Sequence, residues 1–180
     1  MRLVLLPLTF SLVLLGCHAH PPAPPPFLPL LSNIEQRLDL ASSVAVHKWD
    51  HNLPVAAPAR EQEVLLQVSE MAPEYDLTPE RAAAFFNDQI EANKLVQYSL
   101  IDRWNSLGQR PPAARLDLAN ELRPRLDKLQ AALLFELGRL DQLQLENCPR
   151  ELADALAKRT NDPLRHQALV RATVHLCVKR

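Results

Sequence analysis

Arg37, Lys48, Arg60 and Arg125 are four basic side chains on or beside the apolar faces of stretches patterned as helices. Asn93 and Gln97, one helical turn apart, lie near the middle of another such face. Around Lys48, the residues Phe27, Ile34, Leu38, Ala41, Val44 and Ala45 form one stripe at about 100° per residue. Arg37 and Lys48 fall inside that stripe toward one edge and point nearly the same way, roughly 16 Å apart along the axis. Asn93 and Gln97 sit among Phe86, Ile90, Leu100, Ile101 and Trp104. A third stripe is Leu122, Leu126, Leu129, Leu133 and Leu140, with Arg125 at its edge and Arg123 pointing well away. Glu136 lies in the same stripe as a candidate partner for these cations.

Each feature has a bland explanation. Arg37 and Lys48 can snorkel to water from a stripe's edge. Asn93 and Gln97 can bond across helices, since a buried amide without a partner costs about 1–3 kcal/mol. Taken together, four cations and two neutral donors on several helices describe a site for a small anion. Buried charges need partners, and the carboxylates on these faces are too few to supply them all.

The chemistry open to such a site is narrow. No Ser/His/Asp or Cys/His arrangement stands out. His47, His51, His166 and His175 are scattered and read as surface or loop residues. With three glycines in the chain, a phosphate-binding glycine loop is not expected, and no His cluster offers metal-ligand spacing. Cations and amide donors without a nucleophile suit a reaction driven by positioning and electrostatics.

The elements that must position these residues are helical. The chain has 180 residues, enough for one domain, and 47% of them are hydrophobic while 5% are aromatic. That balance favours an all-α domain over a sheet protein. A net charge of −1 with no long basic block argues against nucleic acid as a partner. Six helices are expected, over about 28–48, 60–71, 79–104, 115–145, 149–159 and 163–177. Pro54 and Pro58 bar a continuous first helix, and Thr78-Pro79 opens the third as N-cap and first helical residue.

"MRLVLLPLTFSLVLLGCHA", residues 1–19, has one arginine followed by an apolar run too short to span a membrane as a mature helix. It reads as an export signal. Cleavage after Ala19 fits a simple signal peptide, whereas "LLGC" resembles a lipobox that would end the signal at residue 16 and leave Cys17 lipid-anchored. "HPPAPPPF", residues 20–27, is expected to be a polyproline tether, with the domain occupying 28–180. Either processing route leaves Cys148 and Cys177 as an even pair in an oxidising compartment. A disulfide between them would close a loop of about 29 residues and contribute about 3.5 kcal/mol; two free buried thiols are the alternative.

"IEQRLDLASSVAVHKW", "PVAAPAREQEVL" and "FFNDQIEANKLVQYS" together resemble the AroQ-class chorismate mutases, most of all their exported, periplasmic gamma subclass. The resemblance covers about residues 28–145 well and the remainder loosely. It implies an all-helical fold with a C-terminal disulfide, and the pericyclic rearrangement of chorismate to prephenate without a cofactor. A homodimer is also the family habit. By position, Arg37 and Arg60 correspond to the cations that bind substrate carboxylates. Lys48 and Gln97 correspond to the two donors on the ether oxygen. Asn93 stands where the family usually has Ser or Thr near a carboxylate, and Glu61 resembles the acid that holds the substrate hydroxyl. An arginine from the fourth helix completes the pocket in exported members, and Arg125 fits it best by phase and by the context "LRPRL". Two rivals stand beside this reading: an isochorismate pyruvate-lyase on the same fold, and a non-catalytic helical envelope protein that binds a ligand or partner.

Overall fold

The computed structural model describes residues 25–143 and 145–178. The expected export segment, with Cys17, lies outside the described residues. Six α-helices follow in order: α1 Leu28–Asp50, α2 Pro58–Met71, α3 Pro79–Leu107, α4 Arg123–Gln142, α5 Cys148–Ala157 and α6 Pro163–Ala172. A 3-10 turn, Ala72–Tyr75, follows α2, and a π-helical turn, Leu118–Leu122, leads into α4. No strand occurs among the described residues. The fold is the all-α domain expected.

Local chemistry accounts for most of the boundaries. Proline stands in the first turn of each of the six helices, where the missing N–H removes no helical bond. Thr78 Oγ1 accepts from the Arg81 N–H at 3.2 Å at the start of α3, and Asp162 Oδ1 accepts from the Arg165 N–H at 2.7 Å at the start of α6. Gly108 ends α3 at φ +68°, the left-handed conformation that glycine adopts without steric cost.

Helix α3 is the centre of the bundle. It packs on α1, α2 and α6, and α1 packs in turn on α4. Leu30, Leu31, Ile34 and Leu38 of α1, Phe85 and Phe86 of α3, and Leu133, Leu134 and Leu137 of α4 are fully buried between them. Each such side chain stabilises the fold by about 1.5–3 kcal/mol. Gly138 lets α4 touch the 3-10 turn, because a β-carbon there would collide with the Tyr75 carbonyl oxygen.

Four expectations need correction. Phe27 is no part of a tether: it caps α1 and is 1% exposed in the core, because a large apolar side chain beside Leu30 and Leu31 buries with them. The fourth helix does not begin at Arg115. Residues 110–117 form no helix, Asp117 caps the π turn by accepting from the Asn120 N–H at 2.7 Å, and α4 proper begins at Arg123. The sixth helix stops at Ala172, and residues 173–177 form turns. Those turns are tied down from α3. Arg81 pairs with Asp141 through two bonds of 2.8 Å and donates to the carbonyls of His175 and Leu176. Asp88, wholly buried, accepts from the His175 N–H at 3.0 Å and pairs with Arg171 at 2.7 Å. The fourth correction is Glu136, which pairs with its own-helix neighbour Arg139 at 2.7 Å rather than with a cation near the site. Cys148 and Cys177 form the disulfide, with Cα atoms 5.6 Å apart.

Candidate active site

Arg37 and Lys48 stand one above the other on α1 and are 5% and 8% exposed. Arg60 and Glu61 come from the first turn of α2, where Pro58 starts the helix and Glu61 caps it by accepting from the Ala57 N–H at 2.8 Å. Asn93 and Gln97 are buried on α3. These six converge on one cavity of about 120 Å³ between α1, α2, α3 and α4. Val44, Val55, Val64, Ile90, Leu118 and Leu126 supply its apolar wall.

Arg125 does not join them. Both it and Arg123 are exposed, but it is Arg123 that lines the cavity. The reason is which flank of α4 meets the site. Taking the leucine stripe of α4 as centre, Arg125 lies roughly 60° to one side at 100° per residue. Leu126, Arg123, Gln130 and Asp127 lie roughly 40–140° to the other side, and all four line the cavity. Lys94, beside Asn93, lines it as well.

The lining therefore carries five basic side chains, Arg37, Lys48, Arg60, Lys94 and Arg123, against two carboxylates, Glu61 and Asp127. A net of three positive charges facing a partly apolar cleft favours a small polyanion. Some of this charge is internally bonded. Arg60 Nη2 donates to Asp127 Oδ1 at 2.6 Å, and Nη1 pairs with Glu63 at 2.8 Å. Lys94 pairs with Glu91 at 2.5 Å and with Glu61 at 3.2 Å. Lys48 Nζ donates to the Val55 carbonyl at 2.5 Å, which fixes the ammonium to the loop between α1 and α2. The Asn93 amide donates to the Gln89 carbonyl at 2.9 Å.

Other polar atoms of the pocket have no protein partner. Arg37 Nε and Nη1, Gln97 Oε1 and Gln130 Oε1 are buried without one among the described residues. The Arg37 guanidinium lies 5.9 Å from the Phe86 ring centroid, a cation–π contact that offsets part of its desolvation. Burial still pushes the Arg37 pKa down to about 10, against the pull of Asp127 and with a further push from Arg60. Burial also lowers the Lys48 ammonium pKa; Glu61 opposes that shift, and Arg123 and Lys94 add to it. These groups are costly to keep charged, the usual mark of side chains retained for a ligand rather than for stability.

A larger groove of about 650 Å³ runs between α1, the end of α3 and residues 109–114. Its charged groups are Arg103 and Arg110, and Arg110 is engaged by Asp50 at 2.7 and 2.8 Å. No set of polar groups converges there, so the smaller cavity is the chemically equipped one. Asp127, Gln130 and Lys94 escaped the sequence reading. Arg123, Asp127 and Gln130 follow one another at i, i+4 and i+7, a polar row beside the leucine stripe that was open to view.

Residues 29–98 match the family model for type II chorismate mutases. The chorismate mutase of Burkholderia phymatum has a crystal structure that superposes with a TM-score of 0.82 at 40% identity, covering 86% of this chain and 97% of that one. The secreted chorismate mutase of Mycolicibacterium smegmatis is 29% identical over 165 residues, covering 89% of this chain and 91% of the relative. The secreted chorismate mutase of Mycobacterium tuberculosis is 28% identical over 153 residues, covering 82% and 76%.

Proposed function

The chain belongs to the type II chorismate mutase family, and from that premise we propose that the pocket between α1 and α4 rearranges chorismate to prephenate. One observation carries the reading. Lys48, an ammonium 8% exposed, lines the same small cavity as Gln97 and three arginines from three other positions of the bundle.

The roles follow from charge and place. Chorismate is a dianion that must fold into a compact shape before its bonds can exchange. Arg37, Arg60 and Arg123 bind its two carboxylates, and their rigid helices hold the reactive shape. As the C–O bond breaks, negative charge grows on the ether oxygen. Lys48 and Gln97 donate there, so their bonds strengthen in the transition state and lower the barrier. Asn93 assists a carboxylate. Glu61, whose oxygens are bonded to the Ala57 N–H and to Lys94, presents a fixed acceptor for the substrate hydroxyl. The rearrangement is intramolecular, so no covalent intermediate and no cofactor enter it.

Relatives named as secreted and the export pattern of residues 1–19 together support export of this chain. We place the enzyme in the periplasm as a homodimer, with Cys17 as the point of lipid attachment if the lipobox is used. Intact mass of protein recovered from cell envelopes and sedimentation of the purified enzyme check these points.

The first experiment is to add chorismate to purified residues 20–180, follow the loss of its ultraviolet absorbance and identify the product. Wild type should form prephenate. Lys48→Ala should lower kcat at least ~100-fold, the usual effect of removing one donor from a developing oxyanion. Arg123→Ala should raise KM about tenfold or more, whereas Arg125→Ala should leave KM within twofold. Pyruvate in place of prephenate would assign a lyase, and no turnover by folded protein would leave a binding protein.

A further inference from the structure

Of the two carboxylates lining the cavity, Asp127 is the one that bonds to a pocket arginine. Its Oδ1 accepts from Arg60 Nη2 at 2.6 Å and from Gln130 Nε2 at 3.0 Å. Arg60 stands on the first turn of a short helix with a quarter of its side chain exposed. Its other carboxylate partner, Glu63, stands one turn on in the same helix and is 64% exposed. An arginine so placed has many rotamers that reach water, and confining it to one costs entropy. A partner on α4, across the cavity, supplies that confinement. The same oxygen orients Gln130, which is 1% exposed and whose Oε1 has no partner among the described residues.

Resting on the proposed mutase reading, we propose that Asp127 is a positioning residue: it holds Arg60 across the cavity so that the remaining guanidinium N–H groups meet a substrate carboxylate. Two effects of Asp127 oppose each other. Its charge repels a dianion, and its bond places the cation that attracts one. While Arg60 is present the bond dominates, because a charge-assisted pair balances the carboxylate locally. Without Arg60 the bond to Gln130 is what remains, and the repulsion outweighs it.

Steady-state kinetics with chorismate test this through a change of sign. In the wild-type background, Asp127→Ala should raise KM about tenfold with kcat within about threefold, and Asp127→Asn, which keeps an acceptor oxygen, should raise KM less. In the Arg60→Ala background, Asp127→Ala should lower KM or leave it unchanged. A merely structural role would raise KM equally in both backgrounds, and that result overturns the proposal. So does a KM for Asp127→Ala within twofold of wild type, or below it. Far-ultraviolet circular dichroism checks folding; if Asp127→Ala does not fold, Asp127→Asn in the two backgrounds reads the same sign. Wild-type turnover with an unaltered Asp127→Ala would overturn this inference alone. Folded wild type that neither binds nor converts chorismate would overturn the mutase reading with it.

Discussion

At the scale of single residues, the pocket keeps expensive charges where hydrocarbon would be more stable. Lys48 shows the consequence for pH. Burial lowers its pKa, so the ammonium loses its proton earlier on the alkaline side than an exposed lysine would. Because kcat/KM reports the unliganded enzyme, it should decline with rising pH on a limb set by Lys48. Gln97 has no ionisable proton and should add no limb between about pH 5 and pH 8. Lys48→Arg, though slower, should shift that limb to higher pH; a limb that stays in place would assign it to another group. Arg37, Lys48, Asn93 and Gln97 were legible because a polar residue inside an apolar stripe is conspicuous at 100° per residue. Arg123 was not, because it stands on a flank of the α4 stripe, and a stripe does not announce which flank meets a cavity. The flank that does meet it is marked by the polar row Arg123, Asp127 and Gln130.

At the scale of elements, α4 packs directly on the turn after α2. Gly138 is the point of contact, and the colliding group is a backbone carbonyl, which cannot rotate away as a side chain can. Gly138→Ala should therefore cost about 1–3 kcal/mol despite its better helix propensity. Thermal unfolding should show a Tm lower by roughly 2–4 °C for each kcal/mol; an unchanged or higher Tm would show that α4 can shift without penalty. The helices themselves were readable from prolines and caps, with errors of a few residues at most ends. The start of α4 and the end of α6 were the larger errors. In the π turn the Leu122 N–H bonds to the Asp117 carbonyl at 3.0 Å, one residue further back than in an α-helix. Periodicity assumes 3.6 residues per turn and cannot register such a change of phase. Nor did it suggest that Arg81 and Asp88, on the far part of α3, are buried to hold the last turns of the chain.

At the scale of the whole molecule, no residue of α5 or α6 lines the pocket among the described residues. The disulfide joins α5 to the turns after α6, whereas the cavity is built by α1 to α4. Replacing Cys148 and Cys177 by serine should lower unfolding free energy by about 3.5 kcal/mol in denaturant titrations. kcat at 25 °C should stay within about twofold of wild type. A large loss of kcat in a variant that remains folded would show that the C-terminal helices shape the pocket. One feature of that pocket reaches beyond its chemistry. Five cations from four helices of a single chain meet in it. A catalyst sent out of the cytoplasm can be thinned to concentrations at which chains seldom meet, and a site pooled from two chains would then be lost by mass action. A site whose five cations all stand on one chain does not depend on such a meeting for its charge.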